Sequence, residues 1–350
     1  MAIIDKPSDY FNTVLYTGNG GTQSITGLDF QPDWVWLKCR NRVEEHVVFD
    51  VIRGATKKLL PNRSNAESTE ANTLTSFNSD GFSLGSAGLS NSSGDTFASW
   101  NWKAGTSFTN DASATGIGTI DSTGSASDTA GFSIVSYTGT GSAGTIKHGL
   151  STAPSMIIIK DRSANDNWNV YNSSSGNNSH MHLNLTNAAT GSSSYWNTTT
   201  PTSSVFSLGS SNSVNANGNN FIAYCFADTS MSKMGSYTGN GSSSSGPFIF
   251  TGFKPAFLMI KATNAAKSWM LLDNKRNPSG LSGANTVDYR LRADTDEATS
   301  DNAGGMDFLS NGFKPLNTDT STNQSGTNYI YQAFAENPFT TSTGVPATAR

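Results

Sequence analysis

Tyr16-Thr17-Gly18-Asn19-Gly20 is written again as Tyr137-Thr138-Gly139-Thr140-Gly141 and a third time as Tyr237-Thr238-Gly239-Asn240-Gly241. Each copy is followed 16 to 18 residues later by a proline, Pro32, Pro154 or Pro255, that opens an apolar run. From each proline the spacing is fixed. A lysine stands six residues on (Lys38, Lys160, Lys261), an aromatic or imidazole eight beyond it (His46, Trp168, Trp269), and Asp or Asn four further (Asp50, Asn172, Asp273). Three constant gaps in three places mark an internal repeat.

Each copy closes on a six-residue apolar stretch with an aromatic at both ends: Phe97 to Trp102, Phe221 to Phe226 and Tyr329 to Phe334. A unit of about 100 residues is a domain rather than a solenoid rung. The reading is therefore all-β: three tandem antiparallel β-sandwich modules, jelly-roll or lectin-like. The modules are placed at 1–105, 131–230 (divergent) and 231–339, with a Ser/Gly-rich segment at 106–130 that is a linker or a β-extension laid over a neighbour, and a polar tail at 340–350. Residues 1–12 read as an arm or a lead-in to the first strand. With no spacer between the second and third modules, those two are expected to be coupled more rigidly than the first two.

Only 14% of the 350 residues are charged, while Ser, Thr, Asn and Gly abound. This composition disfavours helices and suits strands joined by tight turns. The 36 aromatic residues, regularly placed, argue for packed cores over disorder. A net charge of −4 gives no electrostatic footprint for nucleic acid. Cys39 and Cys225 occupy non-equivalent points of different copies, which favours free buried thiols over a disulfide. The N-terminus lacks an apolar signal-peptide core, and no apolar run is long enough to cross a membrane as a helix.

The strand after the proline is apolar on both faces, with Val35 and Leu37 opposite Trp34 and Trp36, so it should be central. With the apolar stretch that follows it forms a hairpin. Two readings of Lys38, Lys160 and Lys261 stay open: a lysine capping the sheet at a strand end, or one pairing across the hairpin with Asp50, Asn172 and Asp273. Trp168 and Trp269 stand in apolar settings that fit a core better than a sugar platform.

The acidic loops at 65–70 and 294–297 could offer oxygen to calcium, but neither follows a calcium-loop spacing, and a solvated loop is favoured. His180 and His182 would share one strand face as half of a metal site whose remaining ligands are missing nearby. No nucleophile elbow, phosphate-binding loop or zinc-protease motif occurs. The Tyr-Thr-Gly-Asn-Gly stretch leads into more strand, so it reads as a turn. Only six glutamates occur, none in the repeated strands, against the carboxylate pair of a glycosidase. No catalytic, cofactor or metal site is assigned. The repeated positions Tyr16, Tyr137 and Tyr237, with the prolines, lysines, ring residues and Asp or Asn already named, are read as structural.

The first Tyr-Thr-Gly-Asn-Gly, residues 27–38 and 49–55, and the ending at 330–339 resemble an uncharacterised repeat domain of tailed, especially marine, phages. The resemblance covers the first and third copies well and the second weakly. It implies a virion structural protein, a tail, fibre or decoration component made of β-sandwich modules, and supplies no catalytic motif. The expectation is a non-enzymatic surface or tail-appendage component whose partners are other virion proteins and its own copies, a trimer among them. The alternative is a host-glycan-binding protein of the tail, and an envelope glycan hydrolase is the remote one.

Overall fold

The computed structural model describes residues 3–277 and 286–347, without the side chains of 286 and 302–304. Strand makes up 43% of it and helix 6%, and all the strand ladders are antiparallel. Among the described residues no helix is long and apolar enough to cross a membrane.

One four-strand order recurs in each copy: opening strand, closing strand, post-proline strand, hairpin strand. In the first copy these are Phe11–Thr17, Thr96–Trp102, Trp34–Cys39 and Val47–Asp50. In the second they are Phe132–Thr138, Asn220–Phe226, Met156–Asp161 and Asn169–Asn172. In the third they are Ser232–Thr238, Asn328–Pro338, Phe253–Ala262 and Met270–Asp273. The register is common to all: Trp34, Met156 and Phe257 face Trp102, Phe226 and Phe334 on one side and Asp50, Asn172 and Asp273 on the other. The prolines are buried at the head of this ladder, and Pro255 sits between two register shifts, where a missing N–H costs no ladder bond.

In the first two copies alternation sends the two faces of the sheet to different cores. In the first copy Val35, Leu37 and Phe49 pack against Ile25, Phe82 and Leu84 of a second, three-stranded sheet. In the second copy Ile157, Ile159 and Tyr171 meet Ile146, Phe206 and Leu208 of a two-stranded one. In the third copy the sheet runs on through four more strands that curl back over the post-proline strand.

The opposite faces of all three sheets meet one another. Trp34 and Trp102, Tyr224 and Phe226, and Phe257 and Phe334 belong to one continuous apolar cluster. Its ring centroids are 4.4 Å apart between Trp34 and Tyr224, 5.8 Å between Trp100 and Phe257, and 6.0 Å between Phe226 and Phe334. The largest core is thus common property of the three copies, not one core per module. At about 25 cal/mol per Å² of apolar surface, joining these aromatic faces is a dominant favourable term for the whole chain.

Of the two readings of residues 106–130, the structure shows strands rather than a linker. Thr106–Asn110 and Ser122–Ser127 form a hairpin that adds two strands to the opening edge of the second sheet. A chain poor in apolar side chains can still be ordered this way, because ladder hydrogen bonds satisfy its backbone. Leader and tail dock together: Ile4 N donates to Ser230 Oγ, and Ser342 N donates to Asp5 Oδ1 at 2.6 Å. Tail residues 348–350 lie outside the described residues.

Candidate functional site

The triplicated stretch is a turn locked from inside. Tyr16, Tyr137 and Tyr237 each donate their hydroxyl to a backbone carbonyl, of Ser90 (2.7 Å), Val214 (2.7 Å) and Thr322 (2.6 Å). The residue after each of those carbonyls is a buried asparagine: Asn91, Asn215 and Asn323. Its Oδ1 accepts the N–H of Asn19, Thr140 or Asn240 in the turn, and its Nδ2 donates to carbonyls on either side, Gly21 and Gly85 in the first copy. The first glycine of the turn has no room for a side chain. A Cβ on Gly18 would lie 2.1 Å from Ser92 O, and the second glycine, Gly20, has φ +71°. The sequence reading missed these asparagines. Their signal was present: each stands six residues before the first aromatic of the closing strand, with glycine three residues after it.

Asp50 and Asp273 lie at the junctions between copies. Asp50 accepts Arg53 Nε (2.5 Å) and, from the second copy, the Tyr224 hydroxyl (2.7 Å). Asp273 accepts Arg276 Nε (2.5 Å) and, from the first copy, the Trp100 indole N–H (3.0 Å). Both aspartate–arginine pairs are fully buried. Tyr224 and Trp100 hold the same position of the closing strand, so the contacts run second to first and first to third. The remaining pair of positions, Gln332 and Asn172, shows no such bond: Gln332 Nε2 and Asn172 Nδ2 are both unpaired among the described residues. Three main-chain bonds close the same ring, from Glu67 N to Arg162 O, Ala189 N to Thr263 O and Thr299 N to Arg40 O, at 2.8 to 3.0 Å. Each accepting residue is eight beyond its proline.

The lysines do not pair with these carboxylates or with Asn172. The register places Asp50 opposite Trp34, at the far end of the hairpin from Lys38. Lys38, Lys160 and Lys261 are instead fully buried. Lys38 Nζ donates to Cys39 O and to Asp296 O of the third copy, Lys160 to Asp161 O and Ala164 O, and Lys261 to Thr186 O of the second copy. Burial outweighs the nearby negative charges and pushes all three amines down to about 8. Two of the three ring residues bond across junctions too. Trp168 donates its indole N–H to Leu60 O, and Trp269 donates to His182 O. His46 accepts the indole N–H of Trp36 at Nδ1, and its pKa is held well down by burial and by the Lys38 charge.

Residues 6–338 match a domain of unknown function, DUF7483. The chain belongs to the DUF7483 family. The match takes in all three copies. No curated protein and no solved structure matches the chain.

The acidic loops of this DUF7483 chain are clasps. Glu67 receives Arg162 of the second copy in bidentate fashion (2.9 and 3.0 Å), and Asp296 receives Arg63 of the first (2.8 Å). Both Glu67 oxygens and Asp296 Oδ2 are thus taken by guanidinium groups. His180 stacks on Tyr195 (3.7 Å between ring centroids) and sits 5.2 Å from His182. Burial lowers both imidazole pKa values, that of His180 to about 4. Among the described residues no cluster of three or more His, Cys, Asp or Glu side chains could hold a metal. Cys39 and Cys225 are free and buried, and burial pushes the Cys225 thiol up to about 12. A polar groove of about 540 Å³ lies between the second and third copies, lined by Ser174, Ser179, Thr238, Thr263 and Asn328 among others. Tyr237 and Tyr329 stand in its wall, but their hydroxyls are spent on Thr322 O and Thr320 O.

Proposed function

We propose that this protein is a non-enzymatic structural component of a phage particle, on its surface or on a tail appendage. In this reading three β-sandwich modules are closed into a ring within one polypeptide, and the ring docks on other virion proteins. The observation that carries the structural half is how the triplicated side chains are used. The tyrosines, lysines, ring residues and Asp50 and Asp273 are consumed by bonds inside the body, six of which cross its junctions. Such a body is rigid, and its polar surface carries few charges. Phe248 and Phe250, 50% and 61% exposed, offer it an apolar contact. The resemblance to phage repeat domains carries the location. The threefold arrangement is reached inside one chain, so a homotrimer is not required to create it.

The test is labelling of intact particles with an antibody against the purified protein. Discrete labelling at one location supports the reading, and its absence from purified particles removes it.

The polar groove between the second and third copies favours a second reading, a host-surface glycan. Binding of purified protein on a glycan array, lost on Asn328→Ala, would move the function there.

A further inference from the structure

The opening strand occupies the same place in all three sheets, yet its outer edge is treated in three different ways. In the second copy Ser122–Ser127 lies along it, with Ser125 opposite Ile134 and Thr123 opposite Ser136. In the third copy a charge guards it: Lys233 is paired with Asp228, whose Oδ1 also takes the outward Met234 N–H (3.0 Å). Charged side chains of this kind blunt an open edge. In the first copy, Phe11–Thr17, no strand pairs with the edge among the described residues, and the seven residues Phe-Asn-Thr-Val-Leu-Tyr-Thr contain no charge, proline or glycine.

The bonding side of each residue follows from the ladder. Gly18 N donates to Asp95 O and Lys103 N to Tyr10 O, so the even-numbered residues bond the closing strand. In an antiparallel pair the alternate residues then turn both polar groups outward. These are Phe11 and Thr13, which are buried, and Leu15 and Thr17, which are exposed. Thr13 N is capped by the side chain of Asn12 and Thr17 O by Gln23 Nε2, each an exchangeable local plug. Leu15 is 36% exposed beside them. The equivalent outward residues of the second copy, Phe132, Ile134 and Ser136, face Ser127, Ser125 and Thr123.

We propose that the outer edge of Phe11–Thr17 is a docking site for an extended, uncharged, Ser/Thr/Gly-rich strand supplied by another polypeptide, added antiparallel as Ser122–Ser127 is added to the second copy. Strand addition draws its affinity from main-chain bonds and its selectivity from alternate side chains. The internal strand specifies those side chains as small and hydroxylated. The proposal stands whether or not the protein belongs to a virion.

The probe is a fluorescent peptide with the sequence of residues 122–127, titrated into the full-length protein. Saturable binding is expected, with new amide-exchange protection confined to Phe11–Thr17. Leu15→Pro deletes one outward N–H and should weaken binding at least tenfold without changing the far-UV spectrum. Leu15→Lys, which keeps the backbone intact, should do the same by guarding the edge. Absence of saturable binding, or binding that both variants leave intact, overturns the proposal. Dimerisation of the protein alone with Phe11–Thr17 protected, abolished by Leu15→Lys, would give the edge to a second copy and also overturn it.

Discussion

The hydroxyl of Tyr224 donates to Oδ2 of Asp50 across 2.7 Å, joining the closing strand of the second copy to the hairpin of the first. The same oxygen accepts Arg53 Nε, so one buried carboxylate serves a pair within its copy and a bond between copies. Tyr224→Phe deletes the second and keeps the ring. It should cost about 1–3 kcal/mol in urea unfolding with native secondary structure retained, the usual range for a buried bond to a charged group. A change under about 0.3 kcal/mol would show that the junction does not depend on it.

Asp50→Asn takes the counter-charge from fully buried Arg53, leaving Glu67 at 3.3 Å as its nearest carboxylate. A loss of about 3 kcal/mol or more is expected from breaking such a pair. The second copy shows the neutral solution, Asn172 with Ser175 three residues on. The double variant Asp50→Asn/Arg53→Ser should therefore lose less than the two single losses added together, a coupling read from a double-mutant cycle. Strict additivity would refute the pairing as the reason for the cost.

The three buried lysines make stability depend on pH in an uncommon direction. Their amines sit at about 8 in the folded chain against the ordinary 10.5. Between those values the unfolded chain binds more protons, so stability gains with rising pH; below about 8 the full cost of burying the ammonium is present. Comparing wild type with Lys160→Met by denaturant unfolding at pH 7.5, 8.5 and 9.5 isolates the effect from tyrosine ionisation. Wild type should gain on the variant as pH rises. A pH-independent difference between the two would show that Lys160 titrates normally.

Asn215 holds one turn through its bonds to Thr140 N, Ser142 O and Gly209 O. Asn215→Ala leaves those groups without their partner and should cost about 1–3 kcal/mol. Asn91→Ala and Asn323→Ala should cost similar amounts. A single sensitive site among the three would show that the turns are not energetically equivalent.

Residues 131–230 expressed alone would expose Phe132, Ile158, Trp168, Tyr224 and Phe226, the face they give to the common core. An apolar face of that kind drives association. Light scattering and dye binding should find an aggregate or a self-associated species. A monodisperse monomer with a cooperative melt would mean that each copy is stable by itself.

What the sequence by itself determined was the strand content, the repeat and the two-faced character of the central strand. Those depend on alternation and on turn residues, which act over a few neighbours, and Val35 against Trp36 is enough to show it. The fate of each face was a matter for tertiary structure. Nothing local says that Trp34 stacks on Tyr224 rather than on its own module, or that Lys38 reaches the Asp296 carbonyl and not the Asp50 carboxylate. Residues 106–130 leave a linker and a β-extension both open in the sequence because their side chains are small and polar, whereas their order comes from main-chain ladder bonds that any side chain permits. Partners brought together from more than a hundred residues away are chosen by the packing of whole sheets, and a spacing rule within one copy cannot contain that choice.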